Sequence, residues 1–188
     1  MNLDARPNLH PLKCHPATPA GLPLDVSVSM SLSHEGLRLV YTVNGDTAGL
    51  RIPPATEPGP ADGLWQHTCL EAFVAAQGDV AYREFNFSPS GQWAAYRFVG
   101  ERQRDTANEG PSAPPAMQSI VTPTRLTLDV HLPRVALPSP AELFHFALSA
   151  VIEEQDGRLS YWALQHPQER PDFHHPAGRT LRLALPQN

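Results

Sequence analysis

Apolar residues recur at every second position through much of this chain. Leu24, Val26, Val28, Met30 and Leu32 alternate with Asp25, Ser27, Ser29 and Ser31. A period of two marks a strand with one face buried and one wet. His34-Glu35-Gly36 interrupts the run, and Leu37, Leu39, Tyr41 and Val43 resume it, which predicts a β-hairpin. Ile120-Val121 and then Leu126, Leu128, Val130 and Leu132 predict a second hairpin around Thr122-Pro123-Thr124. Between these lie Leu64–Val74, Ala81–Phe87 and Gln92–Phe98, separated by Gln77-Gly78-Asp79 and Ser88-Pro89-Ser90-Gly91. Three strands joined by two short turns form a meander. Leu143–Ile152 fits a strand or a short helix, and the Gln155-Asp156-Gly157 turn into Leu159–Leu164 favours the strand. Leu181, Leu183 and Leu185 close the pattern. About ten short strands with hardly any helical periodicity predict an all-β fold, an antiparallel β-sandwich or barrel.

Composition narrows this picture. Twenty-one of the 188 residues are proline, a residue excluded from most helix interiors and central strands, which argues against a helical bundle. The length predicts a single domain over 1–188, with an extended N-terminal segment at 1–21 and a flexible loop at 100–116. A short edge strand is expected around Leu9–Cys14. Asn44 to Gly63 forms a long connection with four prolines and four glycines. Fourteen basic against nineteen acidic residues leave a net charge of −5, with no Lys/Arg run. Binding to nucleic acid or to an anionic membrane surface is therefore not expected. Cys14 and Cys69 read as two separate thiols in a reducing compartment. The N-terminus shows no basic segment followed by an apolar run, and the expected location is cytoplasmic. The oligomeric state is left open.

Side chains two apart on a strand share a face. That rule groups Trp65, His67, Cys69, Glu71 and Phe73 on one strand and Tyr82, Glu84 and Asn86 on the next. On the third it sets Trp93, Ala95 and Arg97 against Ala94, Tyr96 and Phe98. Carboxylates and an amide can make paired hydrogen bonds to sugar hydroxyls, while Trp or Tyr rings stack on the apolar face of a pyranose. The competing reading is structural: Glu71 and Glu84 would pair with Arg83, Arg97 or Arg125, and the tryptophans would pack. Two carboxyls also suggest a glycoside-acting enzyme using Glu71 and Glu84. His67 with Cys69 makes a thiol–imidazole pair conceivable. His166, Asp172, His174 and His175 invite a zinc-like reading, although their spacing fits no standard pattern. Met117 with a histidine would suit haem.

Leu64-Trp65-Gln66-x-Thr68-Cys69-Leu70-Glu71-Ala72-Phe73, followed by Tyr82-x-Glu84-Phe85-Asn86-Phe87-Ser88-Pro89-Ser90-Gly91-x-Trp93-Ala94-Ala95-Tyr96, resembles the bacterial DOMON-like proteins. That group is related to the family-nine carbohydrate-binding modules. Ile152-Glu153, Asp156-Gly157, Ser160-Tyr161-Trp162-Ala163-Leu164 and Pro171-Asp172-Phe173-His174 are similar to its C-terminal signature. The resemblance covers roughly residues 64–176 and implies a jelly-roll-type β-sandwich with a ligand site on a sheet face or at one end. It implies sugar or haem as ligand, with tryptophans clamping a sugar; Trp65, Trp93 and Trp162 are the candidates. The expectation is a non-catalytic module without a cofactor, binding a saccharide or sugar-containing small molecule. Its expected ligand set is Trp65, Glu71, Tyr82, Glu84, Asn86, Trp93, Arg97, Trp162, His166, Asp172 and His174. A haem-binding or redox domain is the alternative.

Overall fold

A computed structural model describes residues 9–109 and 113–187. Among them are thirteen strands, four short 3-10 turns and no α-helix. The strands are β1 (Leu9–Cys14), β2 (Leu24–Leu32), β3 (Gly36–Gly45), β4 (Gly59–Pro60), β5 (Cys69–Ala76), β6 (Tyr82–Phe87) and β7 (Gln92–Gly100). The chain continues through β8 (Gln103–Arg104), β9 (Ala116–Thr122), β10 (Arg125–Pro133), β11 (Leu143–Glu153), β12 (Leu159–Ala163) and β13 (Leu181–Ala184). The segment from Leu143 is a strand, as its following turn predicts.

All thirteen strands join in one sheet, ordered β4-β7-β6-β5-β11-β12-β1-β2-β3-β10-β9, with β13 on β11 and β8 on β7. The sheet is mixed, not wholly antiparallel as expected, because β4 runs parallel to β7. The reason is topological. Strand β6 pairs antiparallel with both β5 and β7, so those two point the same way. The long connection lays Gly59–Pro60 beside β7 and then enters β5 without reversing.

Strand β1 corrects a second expectation. A short edge strand is expected at Leu9–Cys14, yet Leu9–Leu12 pair with β2 while Lys13–Cys14 pair with β12. Each half of β1 has one partner, and the strand carries the sheet around a bend. The two halves of the sheet consequently face each other over one apolar cluster. Val26, Leu39 and Leu128 enter it from one half, and Leu70, Phe85, Phe146 and Ile152 from the other. Burying each such side chain contributes about 1.5–3 kcal/mol. Tyr41 spans the gap, its hydroxyl donating to the Glu71 carbonyl at 2.7 Å.

Strand β5 is buried on both faces. Leu70, Ala72 and Val74 enter the main core. Phe73 and Ala75 turn the other way, into a second cluster with Tyr82, Ala94, Tyr96, Phe98 and Ala147 that Leu64 and Phe173 help to cover. The outer face of this half-sheet is therefore walled by loops instead of lying open to water. Residues 101–109 belong to that wall. Arg104 grips Glu109 through Nε and Nη2, and Glu109 also accepts from the Arg97 backbone N–H. The rest of the loop expected at 100–116 includes 110–112, which lie outside the described residues, as does the start of the segment expected at 1–21. Cys14 and Cys69 are both free thiols.

Candidate functional site

The register of β5, β6 and β7 brings the polar and aromatic side chains together. Glu71 pairs with Asn86 and Phe73 with Glu84, while Glu84 pairs with Tyr96 on the far side. Directly opposed residues share a face, so Glu71 and Glu84 are diagonal neighbours across the β5–β6 ladder. Tyr96 and Phe98 extend that face onto β7. It forms the floor of an open cavity of about 650 Å³. Tyr161 of β12 enters from the side, and Pro171, Phe173 and His174 close one wall.

The opposite wall begins at Gly63. This residue adopts φ +74°, a conformation that glycine reaches without a Cβ clash, and it starts the 3-10 turn Leu64–Gln66. The turn holds Trp65 out at the cavity edge with 51% of its surface exposed. Next to it Asp62 accepts a hydrogen bond from the Tyr96 hydroxyl at 2.8 Å. The base of this wall is clamped by buried Glu153, whose two carboxylate oxygens meet Arg51 at 2.8 Å and His67 at 2.7 Å.

On the floor, Glu71 is 2% and Glu84 6% exposed. Glu71 Oε2 accepts from the Ser149 hydroxyl at 3.1 Å, and Glu84 Oε1 accepts from the Asn86 amide at 2.8 Å. Burial pushes the Glu71 carboxyl well above the usual carboxylate range, and the neighbouring Glu84 charge pushes it further. Burial also raises Glu84, to about 7, against the pull of the Asn86 hydrogen bond and of Arg104 and Arg102. The pair therefore offers hydroxyl donors as well as carboxylate acceptors near neutral pH.

His174 sits behind Glu84, packed edge-on against Phe73 and Phe98. Its Nδ1 lies 2.8 Å from the Tyr82 hydroxyl, and that oxygen accepts from the Arg102 backbone N–H at 3.2 Å. The Tyr82 hydroxyl and His174 Nδ1 thus share a hydrogen bond, and Nε2 of the same ring stands 3.7 Å from Glu84 Oε2. Burial and the positive charge of Arg102 lower the ring's pKa to about 4. Asp172 fixes the loop by accepting from the His174 backbone N–H at 3.0 Å and pairing with Arg102 at 2.8 Å. Arg104 lies 4.2 Å above the Tyr96 ring.

Of the residues singled out from sequence, Trp65, Glu71, Glu84 and His174 line the cavity. Tyr82, Asn86 and Asp172 stand directly behind them through the hydrogen bonds above. Four lie elsewhere. Trp93 faces Phe87 across the β6–β7 ladder and packs against the main core. Arg97 shares that face and pairs with Asp105 at 3.2 Å. Trp162 is buried in the main core, its indole N–H donating to Ser160. His166 packs edge-on against His15 and bonds the Lys13 carbonyl at 2.7 Å. Arg83, Arg97 and Arg125, the expected neutralisers, make no ion pair with either glutamate; Arg125 bonds Asn44. His67 is held by Glu153, while the Cys69 thiol lies beside Asn86 Oδ1, so no thiol–imidazole pair forms. Met117 sits on β9, at the opposite end of the strand order from the cavity floor. Among the described residues, no three His, Cys, Asp or Glu side chains are grouped to hold a metal ion.

Asp62, Tyr96, Phe98, Arg102, Arg104, Tyr161 and Phe173 line the cavity without having been singled out as ligand residues. Tyr96 and Phe98 carried a signal, the strand parity that opposes them to Trp93. Tyr161 carried the same signal against Trp162. The two loop arginines carried none.

No protein-family model matches the chain, and no curated protein matches it by sequence. Solved structures do match. A proposed carbohydrate-binding protein from Bacteroides uniformis superposes with a TM-score of 0.67 at 18% identity, over 96% of this chain and 87% of that one. This chain has the fold of that protein. A family-nine carbohydrate-binding module from Caldicellulosiruptor kristjanssonii, in complex with cellotriose, superposes at 0.65 with 9% identity, over 95% and 82% of the two chains. A family-nine module from the same organism, in complex with glucose, gives 0.60 at 8% identity, over 94% and 84%.

Proposed function

We propose that this chain is a non-catalytic saccharide-binding module, a jelly-roll-type sandwich of the DOMON-like group. The observation that carries the reading is the cavity itself. An exposed Trp65 and the rings of Tyr161 and Phe173 stand around a floor where Glu71 and Glu84 are buried side by side. Aromatic rings suit the apolar face of a pyranose, and a buried carboxyl pair that both donates and accepts suits its hydroxyls. The shared fold with modules solved with cellotriose and glucose supports the same reading. Both carboxyls are pushed upward, which equips them to bind hydroxyls better than to supply an ionised nucleophile.

Calorimetric titration of the full chain with a panel of mono- and oligosaccharides tests the proposal. Saturable binding at millimolar concentration is expected, and its absence across the panel would overturn the reading. Turnover of an aryl glycoside that disappears in Glu84→Gln would show a hydrolase instead.

A further inference from the structure

The charges around the cavity are unequally satisfied. Three carboxyl groups line it, those of Asp62, Glu71 and Glu84. Among the described residues, none of the three has a Lys or Arg within ion-pair distance. Their hydrogen bonds come from neutral groups: the Tyr96 hydroxyl, the Ser149 hydroxyl and the Asn86 amide. Among the described residues, the side-chain hydrogen bonds reach Glu71 through Oε2 and Glu84 through Oε1 and leave the other oxygen of each unpartnered, although both residues are more than nine-tenths buried and line the cavity. The two guanidiniums at the rim are already committed. Arg102 pairs with Asp172 at 2.8 Å, and Arg104 grips Glu109 in a bidentate pair at 2.7 and 2.9 Å. Neither Asp172 nor Glu109 lines the cavity. Each rim guanidinium is thus ion-paired with a carboxylate outside the cavity, and although both still draw the Glu84 pKa down, neither stands within ion-pair distance of the floor.

Burial holds the Glu71 and Glu84 carboxyls toward their neutral forms, and a cation seated beside them favours ionisation, the displaced proton leaving to solvent. The walls are also suited to a cation. Trp65, Tyr161 and Phe173 are ring systems whose π-faces attract positive charge, while Arg104 already lies over the Tyr96 ring. We infer that the cavity selects saccharides bearing a protonated amine, with Glu71, Glu84 and Asp62 receiving the ammonium and the rings receiving the sugar. This inference rests on the saccharide-binding reading and specifies the class of sugar.

The test is calorimetry on the full chain at pH 7 and low salt. Glucosamine and galactosamine are compared with glucose and galactose and with the N-acetylated amino sugars, which keep the shape and lose the charge. Cyclohexylamine serves as an amine without hydroxyls. The amino sugars should bind at least about tenfold more tightly than both comparison sets. Asp62→Asn should remove most of that preference while leaving the affinity for neutral sugars within about twofold, and Glu84→Gln should weaken the amino sugars more than the neutral ones. Asp62 belongs to a loop, so its variant keeps the test informative if a floor substitution impairs folding. Equal binding of glucose and glucosamine, or tighter binding of the acetylated forms, would overturn the inference and leave the saccharide reading intact. Binding of cyclohexylamine without any sugar would support the cation site and sink the saccharide reading. No binding of any probe would defeat both.

Discussion

His174 Nε2 stands 3.7 Å from Glu84 Oε2, with both side chains largely buried and both held toward their neutral forms. Their effects on stability oppose each other. Unfolded Glu84 loses its proton near 4.5 and the folded group near 7, so the folded state binds more protons in that window and loses stability as pH rises through it. Taken alone, the effect approaches about 3 kcal/mol. His174 titrates near 6.5 when unfolded and near 4 when folded, so its contribution is lost as pH falls through that range. Between pH 4.5 and 6.5 the two slopes offset each other, while Glu71 adds a decline in the same direction as Glu84. Chemical denaturation across pH 4.5–7.5 checks this. Relative to wild type, the stability curve of Glu84→Gln should tilt upward with pH and that of His174→Gln downward. Curves parallel to wild type would refute the opposed titrations.

Trp65 and Trp162 should separate binding from folding. Half of Trp65 is exposed at the cavity edge, so Trp65→Ala should change stability by less than about 0.5 kcal/mol while weakening saccharide binding roughly tenfold or more. Trp162 is buried in the main core, so Trp162→Ala should cost about 3–5 kcal/mol and leave the folded fraction able to bind. Urea titration and calorimetry on the two variants give the comparison, and the opposite assignment of effects would place the cavity wall wrongly.

The Tyr41 hydroxyl donates from one half of the sheet to the Glu71 backbone of the other. Tyr41→Phe keeps the ring and removes this bond, and a loss of about 1–1.5 kcal/mol is expected in denaturant unfolding. An unchanged midpoint would mean that packing alone joins the halves here.

Gly36 opens β3 with φ +152°, and a Cβ on it would stand 2.0 Å from the Leu132 carbonyl oxygen. That oxygen is backbone of the paired strand β10 and cannot rotate away. Gly36→Ala should therefore lower stability by at least about 2 kcal/mol, measurable as a reduced Tm. A melt matching wild type would show that the hairpin can shift to admit the methyl.

Much of the architecture was legible along the chain. Alternation at Leu24–Leu32, Leu37–Val43 and Leu126–Leu132 placed β2, β3 and β10, because each of those strands buries one face and the pattern records it. The turns at Gly78, Gly91 and Gly157 were equally readable, each a glycine at positive φ. The parity of β6 correctly set Tyr82, Glu84 and Asn86 against Phe85 and Phe87. Strands whose two faces both carry apolar residues defeat this reasoning. Along β7 and β12 apolar residues occupy both parities, so nothing in the pattern says which tryptophan or tyrosine meets the core.

The sequence by itself determined the longer strands, the side-to-side partition within most of them and the presence of a carboxylate–amide–aromatic group, while β4, β8 and the 3-10 turn at Leu64–Gln66 escaped it. Only the tertiary structure decided which face of each strand joined that group. Pairing of Phe87 with Trp93 sent Trp93 to the core and brought Tyr96 opposite Glu84. Folding of three segments distant in the chain then supplied Trp65, Arg102 and His174 to the same cavity. Register and loop closure depend on contacts between residues far apart in the chain, which local periodicity does not encode. Burial then set the chemistry of Glu71 and Glu84, since a carboxyl's charge state answers to the solvent and charges around it in the folded molecule.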